Sequence, residues 1–273
     1  MIAIFAILMA LTLAGVQRVR EASHKTSCAN NLRQIGIAAQ SYHDTHGTLP
    51  PGVSHLNGAD PTPFMTWLTR LLPYIEQQAL WDQSLVAFGK SKFFLLPVHA
   101  QILGHTVKLF VCPSDSRVLS PVDRAPFRLA FTSYLGSEGT NQTTRDGLFF
   151  LDSRVRLAEI TDGTSHTVAA GERPPSTDLI FGWWYAGWGQ AKDGSADSVL
   201  GAAEIPTHRA FQECPAGDVG FGPGRYTNQC DALHFWSPHS GGCPFLFADG
   251  SVRYLSYSAR SVLPALTTRA GHE

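Results

Sequence analysis

The chain opens on an uninterrupted apolar run, Ile2 to Val16 (IAIFAILMALTLAGV), followed by Gln17, Arg18, Val19, Arg20 and Glu21. About 15 residues at about 1.5 Å each reach roughly 22 Å, short of a hydrocarbon core of roughly 30 Å. The run is expected to be membrane-inserted helix of marginal length, either because the start is placed too late and part of the segment lies upstream of Met1 or because this copy has lost the processing site. A cleaved secretory signal is the competing reading, but no Lys or Arg precedes the run and no small-x-small site breaks the helical pattern. Instead Leu32, Ile35, Ala39 and Tyr42 recur at steps of three and four, as one buried helix face requires. Gly47 suits a helix C-terminus and Pro50-Pro51 forbids continuation. The pattern predicts one helix of about 45 residues, on the order of 70 Å long. Its division is a transmembrane part over 1–24, a soluble half over 25–50, and a β-rich head over 51–273.

Beyond the helix the pattern shortens. Trp67, Leu68, Leu71, Leu72, Ile75 and Leu80 form an apolar stripe that predicts one or two short helices, with Pro73 at a first turn or a kink. Phe93 to Leu96, Val107 to Cys112, Phe131 to Leu135, Gly147 to Leu151 and Thr167 to Ala170 read as strands. A turn-rich polar loop is expected over Gly136 to Asn141, and a turn at Asp162-Gly163. Asp249-Gly250 between two apolar runs, Phe245 to Ala248 and Val252 to Leu255, is a hairpin signal. Trp183 to Pro223 has no clean periodicity and reads as a long insertion loop.

Composition sharpens this picture toward turns and sheet. Charged residues are only 16%, with 25 Gly and 17 Pro. A net charge of -1 gives no global support for a phosphate-neutralising surface, so nucleic acid is not an expected partner. The 5 cysteines, Cys28, Cys112, Cys214, Cys230 and Cys243, form no Cys-x-x-Cys pair and fit no four-ligand zinc spacing. If the head lies outside the cytoplasm, Cys214 with Cys230 would close a Gly/Pro-rich loop with little core of its own. The alternative leaves all the thiols reduced as small apolar core residues.

The stretch from Gln17 to Ala22, the segment Cys28 to Gly36, Tyr42-His43-Asp44 leading to Pro50-Pro51-Gly52, the Phe110-to-Asp115 string, and Asp162-Gly163-Thr164-Ser165 carry a resemblance. The chain resembles a bacterial family of unassigned function, abundant in planctomycetes, with a prepilin-type N-terminal helix. The family's C-terminal signature, a His, nine residues, then Asp-Gly, is matched by His239, Asp249 and Gly250. The resemblance covers nearly the whole chain, weakest across residues 175–230. It implies an α+β, type IV pilin-like fold, a long N-terminal helix packed on an antiparallel sheet with long loop insertions. It departs at the start, where the family's basic leader, Gly-Phe cleavage site and following Glu would stand. The implied role is a structural subunit or minor component of a type IV pilus or type II secretion pseudopilus-like assembly, held in the inner membrane. Its partners would be the membrane and homo- or hetero-pilin subunits. The alternative is a membrane-tethered extracytoplasmic binding protein, with glycans as candidate ligands.

Candidate chemistry is sparse, and no enzyme is expected. His239 and Asp249 could tune each other for proton transfer, with Ser240 or Cys243 as nucleophile, but no motif surrounds them. The structural alternative has His239 bonding a turn backbone and Asp249 shaping the hairpin. Calcium is the one cofactor considered, because loop carboxylates occur at Asp146, Asp162, Asp193, Asp197, Asp218, Asp231 and Asp249, without EF-hand spacing. His43 and His46 could pair on a metal or cap the helix end. Trp183, Trp184, Tyr185 and Trp188 could stack on a glycan or fill the core.

Overall fold

The computed structural model describes residues 2–217 and 219–271, with the backbone alone over 2–14. Helix α1 runs Ile2–His46, 45 residues. It ends where Gly47, with φ of 75°, donates its N–H to the His43 carbonyl at 2.7 Å. A left-handed residue costs glycine nothing, which is why the helix closes there. Short helices α2 (Trp67–Arg70), α3 (Gln78–Lys90) and α4 (Ala100–Leu103) follow, then a hairpin of β1 (Val122–Arg124) and β2 (Phe127–Leu129), and α5 (Leu263–Thr267) closes the chain.

Among the described residues the centre is a five-stranded sheet of β3 (Tyr134–Gly139), β4 (Val168–Glu172), β5 (Val199–Gly201), β8 (Gly242–Phe247) and β9 (Val252–Ser256), in the order β5-β3-β4-β8-β9. The pairings from β3 to β9 are antiparallel, whereas β5 adds to β3 in parallel, so the expected antiparallel sheet is mixed at one edge. A small pair, β6 (Ala203–Glu204) with β7 (Val219–Gly220), lies in the segment expected to be loop.

The sheet is covered on both faces. Successive strand residues point to opposite sides. In β8 this sends Cys243, Phe245 and Phe247 into one core with Phe211, Phe221, Phe235 and Leu263, while Leu246 joins the other core beside Leu32, Ile35 and Ala39 of α1. The predicted helix face is therefore the one that docks. At Gly36 the helix approaches so closely that a Cβ would meet Leu246 Cδ1 at 2.6 Å. The Asp249-Gly250 turn joins β8 to β9 as expected, and Gly250 has a φ of 84°.

Several short strand expectations fail. Phe93 to Leu96 is a turn, Gly147 to Leu151 is irregular chain ending in a single parallel bridge from Leu151 to Val53, and Val107 to Cys112 folds around a 3-10 turn over Lys108–Phe110. Single residues such as Phe94, Phe110, Leu148 and Phe149 are buried as anchors of irregular chain while Phe93 and Leu96 stay exposed, a use that density of hydrophobic residues cannot distinguish from a strand. The polar stretch Gly136 to Gly139, expected as loop, belongs instead to buried strand β3. Cys214 and Cys230 are disulfide-bonded, with Cα atoms 5.5 Å apart, while Cys28, Cys112 and Cys243 are free and buried. By loop length alone a crosslink of this separation stabilises by about 3 kcal/mol.

Helix α1 docks along only part of its length. Residues 15–23 are exposed, Val16 by 52% and Val19 by 71%, and burial begins at Cys28. Among the described residues no helix is long and apolar enough to cross a membrane. The side chains of Ile2 to Ala14, on which the expectation of a membrane-inserted segment rests, lie outside the described residues.

Candidate functional site

Four segments distant in sequence meet where α1 crosses the sheet. Cys28 comes from the docked face of α1, one turn before Leu32. Cys112 follows the Lys108–Phe110 turn, its N–H bonded to Ser133 Oγ at 3.0 Å. Glu172 ends β4 directly opposite Tyr134 of β3, so both side chains stand on the helix-facing side. His239 lies in the segment leading to β8, its N–H donated to Ser237 Oγ at 3.2 Å. One ligand-type atom from each of Cys28, Cys112, Glu172 and His239 lies within 4.8 Å of the others, and all four residues are buried.

The imidazole organises the cluster. His239 Nδ1 is 2.7 Å from Glu21 Oε1, while Nε2 is 3.3 Å from Cys28 Sγ and 3.6 Å from Cys112 Sγ. A Glu21 carboxylate on Nδ1 holds an N–H there and orients the ring so that Nε2 faces the two sulfurs. Ser237 Oγ donates to Glu172 Oε2 at 2.7 Å, whereas Glu172 Oε1, fully buried, has no hydrogen-bond partner among the described residues. Around this core α1 is tied down by Asn31 Nδ2, which donates to the Val111 carbonyl at 3.2 Å and reaches the Tyr134 hydroxyl at 3.3 Å. His24 bonds Ser114 at 3.1 Å, and the Lys25 ammonium sits 3.4 Å over the Tyr254 ring.

The electrostatics follow from burial and from these contacts. The Cys112 thiol beside Cys28 lowers the latter to about 6, against burial and with help from His239. Burial works against charge on His239, yet the bond to Cys28, the Glu172 carboxylate and the bond to Glu21 raise it to about 9. Burial, reinforced by the charge of Cys28, pushes Glu172 up to about 8, and burial pushes the Cys112 thiol far up. The Cys28–His239 pair thus leans toward thiolate and imidazolium. Thiolate, imidazole and an orienting carboxylate in line are also the parts of a nucleophilic triad. Here, however, Cys28 and Cys112 are 0% exposed, so no substrate carbonyl reaches either sulfur without unpacking α1.

A family model covers the same architecture. It is described as "Protein of unknown function (DUF1559)" and matches residues 17–260. The chain belongs to this DUF1559 family. The match begins just past the apolar run and contains all four cluster residues and Glu21. No curated protein and no solved structure matches the chain.

The residues singled out in the sequence fall in different places. His239, which the hairpin reading assigned to a turn backbone, turns its ring to Glu21, Cys28 and Cys112 instead. Asp249 does shape the hairpin, accepting the Ser251 N–H at 2.8 Å, and takes no part in the cluster. His46 Nδ1 lies 3.0 Å from the Tyr42 carbonyl at the helix end, while His43 Nε2 accepts the Leu157 N–H at 3.3 Å. Trp184 and Tyr185 are core, whereas Trp183 and Trp188 line a groove of about 510 Å³ with Phe94, Asp178, His208 and Arg209. The candidate calcium ligands are scattered over separate turns. Asp146 accepts from Thr140, Asp197 from Gly182 and Gly189, and Asp231 from Arg225, and Asp218 lies outside the described residues. Sequence spacing missed Glu172 and Glu21 altogether, and paired no cysteine with His239. The available signal was a cysteine on a helix face otherwise lined by Leu32, Ile35 and Ala39.

Proposed function

We propose that the chain is a helix-carried, extracytoplasmic structural subunit of a type IV pilus or type II secretion pseudopilus-like assembly, anchored in the membrane by the start of α1. The observation that carries this reading is the unequal docking of that helix. One continuous element of 45 residues packs tightly on the sheet from Cys28 onward, yet shows Val16 and Val19 to solvent. The exposed stretch over residues 15–23 extends roughly 13 Å along the helix, and exposed apolar residues on it call for lipid or for neighbouring helices. The Cys214–Cys230 disulfide supports an oxidising compartment.

A photo-crosslinking residue at Val19 in cells tests the reading. Ladders of crosslinked copies or of pilin-like partners are expected, together with loss of surface filaments or secretion in a deletion strain. Membrane-bound monomer with filaments and secretion unchanged would sink it.

The aromatic groove favours a second reading, a membrane-tethered glycan-binding protein. Trp183 and Trp188, seated on buried Phe94, supply stacking faces, and Asp178, His208 and Arg209 supply polar partners along its wall. A glycan array probed with the chain and with Trp188→Ala separates the two, since binding lost in the variant selects the tethered receptor.

A further inference from the structure

The geometry points to a structural zinc site in which Cys28, Cys112, Glu172 and His239 hold one Zn²⁺ in a closed tetrahedron and clasp α1 to the sheet. This inference rests on the cluster and stands whether or not the chain assembles into a filament.

Spacing is the first support. Zinc bonds of about 2.3 Å to sulfur and about 2.0–2.2 Å to nitrogen and oxygen imply tetrahedral edges of about 3.3 to 3.8 Å between donor atoms. The two sulfur-to-Nε2 separations are 3.3 and 3.6 Å, and the whole set lies within 4.8 Å. The second support is the donor left over. Glu172 is 0% exposed, and its Oε1 has no partner among the described residues while Oε2 is held by Ser237. A buried carboxylate oxygen without a donor costs free energy that a cation removes. Third, Glu21 bonds the distal ring nitrogen of His239, the carboxylate–histidine arrangement that orients a metal-bound imidazole.

The donor chemistry selects the ion. Two thiolates with an imidazole and one carboxylate suit zinc, whereas calcium and magnesium want oxygen throughout. Four protein ligands in a dry pocket leave no open position, the mark of a structural rather than a catalytic site. A Cys28–Cys112 disulfide accounts for the sulfurs alone. It would leave His239 Nε2 and Glu172 Oε1 buried without partners. Loading forms two Zn–S bonds, one Zn–N and one Zn–O bond, and the protons on these groups depart to solvent without any change of oxidation state.

The full-length chain, reduced and stripped with a chelator, is titrated with Zn²⁺ and with Co²⁺ alone. About one ion per chain is expected, with the intense d–d bands and thiolate charge-transfer bands of tetrahedral sulfur-ligated cobalt. Zinc should raise the melting temperature by about 5 °C or more, since an ion bound only to the native state stabilises it. Glu172→Gln and Cys112→Ser should weaken binding by about 100-fold or more, while Cys243→Ser, which alters a buried cysteine outside the cluster, binds as the wild type does. The cobalt spectrum is read on the unaltered protein, so it tests the site even where a variant misfolds. Absence of cobalt bands with no zinc-dependent shift in melting overturns the proposal, as does a Cys28–Cys112 disulfide that takes up no metal after reduction.

Discussion

Two buried polar regions flank the sheet and solve the same problem differently. In the segment after β4, Gln190 Nε2 donates to Glu204 Oε1 at 2.9 Å and Ser195 Oγ donates to the same oxygen, while the Gly201 N–H reaches Oε2 at 2.8 Å. Asp197 likewise accepts from the Gly182 and Gly189 backbones, one bond to each oxygen. Every carboxylate oxygen of that pair is answered by the polypeptide. At the α1 crossing, by contrast, Glu172 keeps one oxygen unanswered beside two unpaired cysteines and the Nε2 edge of His239. A carboxylate in a dry site is stabilised by local donors or by something from outside the chain. Among the described residues Glu138, beside Glu204, also keeps one oxygen without a partner, but no cluster of cysteine and histidine surrounds it, and that surrounding is what marks the α1 crossing as a receiving site and the Glu204 region as scaffold.

Breaking the scaffold should give the largest effect. Glu204→Ala strands the donors of Ser195, Gln190 and Gly201 and should cost about 3–4 kcal/mol in urea unfolding, while Glu204→Gln keeps the shape and should cost about 1 kcal/mol. A cost below about 1 kcal/mol for the alanine would erase the distinction between scaffold and receiving site.

Acidity sharpens the same comparison. Burial raises Asp197 and Glu204 each to about 7 from ordinary values of 3.8 and 4.5. The folded chain therefore holds protons that the unfolded chain releases, so these groups contribute stability fully below about pH 4 and lose it as pH rises to about 7. Unfolding free energies should decline across that range by an amount on the order of several kcal/mol from the two groups together. Glu204→Gln should flatten the slope; a slope unchanged by it would put the titration elsewhere.

On the cluster side, stripping metal from the full chain should lower stability by about 2 kcal/mol, read as a melting shift, with the Glu204 variants showing the same shift as wild type. Coupling between the two regions would appear as a departure from that additivity. The smallest effect belongs to Glu21, whose side chain is 47% exposed. Glu21→Gln should weaken zinc binding by about 10-fold and leave urea stability of the metal-free chain within about 0.5 kcal/mol.

How much of this was legible beforehand depends on the range of the interaction. Helix α1, its buried face and its stop at Gly47 were readable, because period, capping and the Pro50-Pro51 block are local. So was the β8–β9 hairpin at Asp249-Gly250. Phe93 to Leu96 misled because Phe94 alone is buried and anchors a turn, with no alternation along a strand, and Gly136 to Gly139 misled in the opposite sense. The pairing of Cys214 with Cys230 was foreseeable because one short loop contains both.

The cluster was not legible, since its members are separated by roughly 60 to 85 residues of chain and zinc spacing rules describe ligands on adjoining turns. Sequence by itself determined a long helix with an apolar start, one docking face, a terminal hairpin and membership of a family of unknown function. Only the tertiary structure decided that Cys28 meets Cys112, Glu172 and His239. Helix period and turn chemistry act within a few residues, whereas that meeting is set by how α1 crosses β4 and β8, through the close approach at Gly36 and the register that places Glu172 opposite Tyr134.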